Sequence, residues 1–222
     1  MDTPLILQIR RTPRARAEES IRSYWQEFHV SVPEDAYVLD ALETVWRQDA
    51  SLMFRHACHH ASCGSCGMRI QGRERLACST RAFDVVRGGA IRLEPLRNFS
   101  VVADLVVDTG PLAIKLERVR AQVIREGETR QRFGSCIECG LCISACPVAA
   151  TNHDYLGPAV LAAASPNMGD AEVRSLVEGP NGVWRCHSAF ECTEVCPAGV
   201  EPATAIMNLR KDLLVSMIRR KG

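Results

Sequence analysis

No apolar run in this chain approaches the ~18–20 residues that a membrane-spanning helix needs. The longest stretches are Val101–Val107, interrupted by Asp104, and Ala159–Ala164. An excess of one charge is also lacking: 27 basic residues stand against 26 acidic ones. The chain therefore sets up no strong field for a polyanion, which argues against nucleic acid as a partner. A basic segment runs from Arg10 to Arg22, but Tyr24-Trp25-Gln26-Glu27 follows where a signal would need an apolar core. No secretory or twin-arginine signal is expected. In a compartment that keeps thiols reduced, clustered cysteines bind metals more often than one another.

What is present is sulfur. There are eleven cysteines, a number that neither disulfide pairs nor whole sets of four can exhaust. Cys58, Cys63, Cys66 and Cys78 lie in the first half; Cys136, Cys139, Cys142, Cys146, Cys186, Cys192 and Cys196 lie in the second. Leu96 to Arg132 has none. A chain of 222 residues, 46% hydrophobic, can build two small cores. The gap predicts two metal-bearing domains joined near residue 105.

Strand-like alternation appears at Leu5–Arg10 and Trp25–Val32, with short strands expected at Met68–Ile70 and Ile91–Leu93. Val38, Leu39, Leu42, Val45 and Trp46 recur at helical spacing, with Pro33-Glu34-Asp35 ahead as a start signal. A sheet with one crossing helix and a long cysteine loop follows. Downstream, helices are expected at Leu156–Ala164, Ala171–Val177 and Ala203–Arg219, the last with Ile206, Leu209, Leu213 and Met217 on one face.

The loop HACHHASCGSCGMRI spaces its cysteines C-x4-C-x2-C, with Cys78 following Cys66 after a longer gap. This is the spacing of plant-type [2Fe–2S] ferredoxins. Gly64 and Gly67 lack a Cβ, so the backbone can pass close to a cluster there. A four-thiolate zinc site fits such unequal gaps poorly. A Rieske centre would need a second Cys-x-x-His, and Cys63 and Cys78 are followed at that offset by Cys66 and Arg81. His56, His59 and His60 are then most simply loop residues, solvated or placed just outside the ligating thiols, and not ligands themselves.

Residues 136–147 read CIECGLCISACP, the bacterial ferredoxin motif, whose fourth cysteine ligates the other cluster of a pair. A partner motif is therefore expected, and CHSAFECTEVCP supplies it from Cys186 to Pro197. On the same template the second cysteine of that partner is replaced by Ala189. One cube then has Cys136, Cys139, Cys142 and, crossing back, Cys196. The other site has Cys146, Cys186 and Cys192 only, a set suited to [3Fe–4S]. Zinc does not explain two motifs ending in Cys-Pro. An ordinary two-cubane ferredoxin with water on the open iron remains an alternative.

These motifs, in this order along nearly the whole chain, resemble the iron–sulfur subunit of succinate dehydrogenase and fumarate reductase. The resemblance implies an α+β chain: an N-terminal β-grasp plant-type [2Fe–2S] ferredoxin domain, residues 1–104, and a C-terminal all-α helical ferredoxin domain, residues 105–222, carrying [4Fe–4S] and [3Fe–4S]. It implies a subunit of an oxidoreductase that does not bind the dicarboxylate alone. Electrons would pass between the FAD of a flavoprotein subunit and a quinone held with membrane-anchor subunits, at the cytoplasmic face of a bacterial inner membrane. Pro147, His187 and Arg210 match positions near the quinone in this family. Ubiquinone-using members carry a tryptophan shortly after the first Cys-Pro, and Val148–Asn152 has none, which leans towards menaquinone. The rival reading is an electron-transfer subunit of another flavin-dependent dehydrogenase, of the glycolate or glycerol 3-phosphate type. Such chains carry two complete four-cysteine motifs and no two-iron domain, so Ala189 and the Cys58–Cys78 loop weigh against it. A zinc-stapled interaction module would contain no iron or sulfide.

Ala189→Cys is expected to convert the three-iron centre into a four-iron one. The oxidised-state EPR signal of the wild-type three-iron centre should vanish in the variant; a signal that survives unaltered would refute this sorting of ligands.

Overall fold

The computed structural model describes residues 2–13, 22–120 and 136–219; residues 14–21, within the basic Arg10–Arg22 segment, lie outside the described residues. The chain forms two compact units, Met1–Asp108 and Thr109–Gly222.

In the first unit, alternation at the N-terminus becomes β1 (Asp2–Arg11), which buries Leu5, Leu7, Ile9 and Arg11 on one face. It pairs antiparallel with β2 (Tyr24–Pro33). The chain crosses through α1 (Val38–Gln48), which buries Val38, Leu39, Ala41, Leu42 and Val45 against the sheet. This helix starts later than Pro33-Glu34-Asp35 would suggest. Those residues form a turn closed by Ala36 N donating to Pro33 O, and Asp40 reaches back to the backbone N–H of Tyr37 at 2.8 Å. Trp46, which shares the helical spacing, is 49% exposed, because the helix rotates it off the face that Val38 and Val45 define. The strands β3 (Gly67–Ile70), β4 (Arg73–Leu76) and β5 (Ala90–Glu94) complete a mixed sheet of order β2-β1-β5-β3-β4, with β1 and β5 parallel. This is a β-grasp arrangement. A short ladder of β6 (Val101–Ala103) and β7 (Val106–Val107) follows.

One buried charge network fastens this unit. Arg11, 6% exposed, pairs with Asp104 at 3.1 Å and with Asp49 at 3.1 Å, and donates to Gln26 and Ser51. Asp104 in turn accepts from the backbone N–H groups of Thr12 and Met53, each at 2.9 Å. The hydrogen bonds of Ser51, then that of Arg11, hold the Asp49 carboxyl below the usual carboxylate range.

The second unit is helical: α2 (Gly110–Arg120), α3 (Leu141–Ala145), α4 (Pro147–Thr151), α5 (Pro158–Ala164), α6 (Ala171–Glu178), α7 (Glu191–Glu194) and α8 (Pro202–Arg219). The hub is α5, every residue of which is buried. Both α2 and α8 pack on it. The stripe of α8 is core at Ile206, Leu209 and Leu213, whereas Met217 is 51% exposed, one turn beyond the helix's last buried residue. Between α6 and α7 the chain must pass hard against the end of α6. A Cβ on Gly182 would lie 1.9 Å from the carbonyl oxygen of Val177.

Gly182→Ala is therefore expected to lose about 1–3 kcal/mol through a forced backbone shift. Gly169→Ala, where an added Cβ meets nothing within 4 Å, is the control. Thermal unfolding of the two variants should separate them; equal midpoints would refute the clash.

Candidate metal centres

The first group of thiols sits on the loop between α1 and β3. Its backbone turns left-handed at His59, Ala61 and Gly64, with φ of 60, 61 and 74°. Such residues point successive N–H groups to the inside of a turn. The amides of Ser62 and Cys63 donate to Cys58 Sγ at 3.3 and 3.4 Å, and that of Ala61 to Cys78 Sγ at 3.3 Å. Cys78 is returned to the loop by the β3–β4 hairpin, whose two-residue turn Gln71-Gly72 has the positive φ values, 51 and 77°, that a tight hairpin requires. Gly67 faces Leu76 in that register, and Cys78 N then donates to Cys66 Sγ at 3.5 Å. The long Cys66–Cys78 gap is thus the length of a hairpin.

The two motifs of the second unit share one backbone. Left-handed residues fall two and four positions after the first cysteine in each: Glu138 and Gly140 after Cys136, Ser188 and Phe190 after Cys186. A short helix starts next in both, α3 and α7. The N–H of Ile143 donates to Gly140 O as that of Thr193 does to Phe190 O. Likewise Cys146 donates to Ile143 O, and Cys196 to Thr193 O, both at 3.2 Å. Ala189 therefore occupies the backbone position of Cys139, and only the sulfur is missing.

The sulfurs fall into two neighbourhoods. Cys136, Cys139, Cys142 and Cys196 line one pocket together with Ile137, Leu141 and Pro202. Burial, then the neighbouring Cys136 and Cys196, pushes the Cys139 thiol up to about 11. Burial, then Cys139 and Cys136, takes Cys142 well above its usual range. Cys192 is pushed up to about 11 by burial and then by Cys146 and Cys186. In the first unit burial pushes Cys66 up to about 12, while the amide of His60 and the neighbouring Ser62 hold Cys58 down at about 5.

Sequence reasoning missed Tyr155. It is 2% exposed, and among the described residues its hydroxyl makes no hydrogen bond of ordinary geometry, although the Cys186 side chain is close enough to act on it. Burial raises its pKa, and after that the charges of Cys186 and Cys146. Lys115 fixes this turn by donating to the carbonyls of His153 and Tyr155, each at 2.8 Å. A buried hydroxyl beside sulfurs is a donor awaiting an acceptor. This orphan, the inward amides and the all-thiol donor sets fit iron–sulfur clusters. Arg210, on α8, spends its guanidinium on the turn before the second motif, donating to Val183 O at 3.2 Å, to Ser188 Oγ at 3.2 Å and to Cys186 O. His187 and Pro147 are exposed.

Residues 6–113 match the family model of a 2Fe-2S iron–sulfur cluster binding domain, and residues 132–200 that of a 4Fe-4S dicluster domain. The chain is 37% identical over 220 residues to the fumarate reductase iron–sulfur subunit of Mycobacterium tuberculosis, covering 89% of each chain. It is 35% identical to that of Haemophilus influenzae, covering 89% of this chain and 93% of the other.

The chain belongs to the fumarate reductase iron–sulfur subunit family.

A chain of the Mycobacterium smegmatis Sdh1 complex in the apo form shares its fold, with a TM-score of 0.77 over 96% of each chain at 24% identity. Both expected fold types, β-grasp and helical ferredoxin, are present, and two-iron and four-iron binding domains are established in this member of the family. Membership makes it an electron-transfer subunit of an oxidoreductase complex. No helix among the described residues is long and apolar enough to cross a membrane.

Tyr155→Phe should leave the fold intact and lower the reduction potential of the centre beside Cys186, since a hydrogen bond to sulfur favours the more negative, reduced state. Redox titration followed by EPR reads this; an unchanged potential would show that the hydroxyl donates to nothing.

Proposed function

We propose that this chain conducts electrons between an FAD-bearing flavoprotein subunit and a membrane quinone, menaquinone by preference, in a complex held peripherally on the cytoplasmic face of a bacterial membrane by anchor subunits. Cys58, Cys63, Cys66 and Cys78 would hold [2Fe–2S]; Cys136, Cys139, Cys142 and Cys196 would hold [4Fe–4S]; Cys146, Cys186 and Cys192 would hold [3Fe–4S]. When bound, such clusters supply one-electron redox chemistry that no side chain here can perform. The observation that carries this reading is the repeated backbone of the two motifs, complete in sulfur in the first and lacking one at Ala189 in the second.

The residues' own work is to hold thiols together, exclude water and point donors at sulfur. The N–H of Ser188 donates to Cys186 Sγ and that of Val200 to Cys196 Sγ, each at 3.4 Å. Around Cys186 the surface carries Trp184 and Phe190, each 43% exposed, with His187 and, beside Cys146, Pro147. An apolar, aromatic surface over the three-cysteine group suits a quinone ring and an anchor subunit. Among the described residues, Arg210 keeps one guanidinium N–H beyond those used on the 183–188 turn, and its first task is to fix the loop that presents Cys186 and His187.

Cys66→Ser in the native complex should abolish the two-iron EPR signal alone. Cys192→Ser should abolish the oxidised three-iron signal and slow quinone reduction, with the two-iron signal intact. Loss of every signal from a still-folded Cys66→Ser protein, or zinc in place of iron in anaerobically purified complex, would overturn the assignment.

A further inference from the structure

Three side chains outside the cysteine groups converge on one point. Glu43 lies on α1; His56 and His59 lie on the cysteine loop. His56 Nδ1 is 3.2 Å from His59 Nε2, and Glu43 Oε1 is 3.4 Å from His59 Nε2 and 3.7 Å from His56 Nδ1. A tetrahedral ion with ligands at about 2.0–2.1 Å separates any two of them by about 3.3–3.4 Å. The triangle matches one face of that tetrahedron.

Protons alone satisfy this arrangement poorly. His59 Nε2 carries at most one hydrogen, which can go to His56 or to Glu43 but not to both. Two imidazolium N–H groups at this separation would repel and crowd one oxygen. Among the described residues, Glu43 Oε1 is closed to solvent and has no hydrogen bond. One cation would use all three lone pairs together. The rings are also held in place: His56 stacks on Phe54 with centroids 5.3 Å apart, and meets His59 edge-on at 5.2 Å. The left-handed backbone at His59, φ 60°, belongs to the turn that carries this ring. His60 is turned elsewhere, towards Cys58 O and Ser62 Oγ.

We propose that Glu43, His56 and His59 bind a divalent transition-metal ion, zinc by preference, completed by water, which clips the first cysteine loop to α1. Two neutral imidazoles and a carboxylate form a zinc donor set, with the fourth position open. Seated one residue from Cys58, the ion would place positive charge beside that loop and resist its detachment from the helix.

The test uses the full chain, purified anaerobically with its clusters, stripped of loosely held metal and dialysed against zinc chloride. One zinc per chain should be retained with iron content unchanged, and its X-ray absorption should show nitrogen and oxygen ligands. Glu43→Gln and His59→Asn should each weaken zinc binding by more than about tenfold, a loss that even outer partners of a metal produce. Both variants should keep the two-iron EPR signal, which reports that the loop is folded. Zinc-loaded wild type should also lose its two-iron signal more slowly in air than either variant. No zinc retained, sulfur ligands to the zinc, or zinc uptake matched by iron loss would overturn the proposal, since the last two mean displacement at the cysteines. Equal zinc binding by variants with an intact two-iron signal would do so as well.

Discussion

Thiols crowded side by side away from water resist becoming thiolates, and the second unit gathers its seven cysteines, buried or half-buried, into two neighbourhoods. Cys139, Cys142 and Cys192 lose hydration and gain like-charged neighbours, so all three are driven towards the protonated form. A cluster cation reverses this balance, which couples metal uptake to the packing of the fold. What the polypeptide can add is inward N–H groups, and it obtains them by repeated left-handed residues. That requirement shapes the backbone of both units.

The consequences reach outward from the sulfurs. Left-handed turns two and four residues after Cys136 and Cys186 end where a short helix begins; the first of these, α3, rests on the fully buried α5, and the second, α7, rests on α3 and α8. Gly182 lets the chain pass Val177 closely enough to deliver Cys186, and Arg210 fastens the delivered turn from α8. In the first unit the Arg11–Asp104 network ties β1 to the segment leading into the cysteine loop through Met53 N. A buried ion pair of this kind is worth little against an apolar replacement, but removing one partner strands a charge. Its value here is in fixing where Met53, and therefore the loop beyond it, must start.

The elements that were legible in the sequence are those set by local pattern. Leu5–Arg10 and Val38–Val45 carry periodicities that survive in β1 and α1 because each packs one face on a single core. The helix α2 was not legible: Leu112, Leu116 and Val119 are buried at helical spacing, but Ile114 is exposed and blurs the pattern. Helices α3, α4 and α7 are too short for any periodicity. Trp46 and Met217 share the helical spacing of the apolar residues before them yet are exposed, since such a stripe records spacing along a helix and not where the facing surface ends.

The sequence by itself determined the order of the thiols, the two Cys-Pro motifs, the gap at Ala189 and the division into a strand-rich and a helix-rich part, because all of these are statements about neighbours along the chain. Only the tertiary structure decided that a hairpin returns Cys78 to Cys66, that the Tyr155 hydroxyl lies orphaned beside Cys186, that Arg210 clamps a turn, and that Glu43 meets His56 and His59. Those groups are brought together by helix packing and left-handed backbone, and the free energy that selects them belongs to contacts between segments no spacing rule connects.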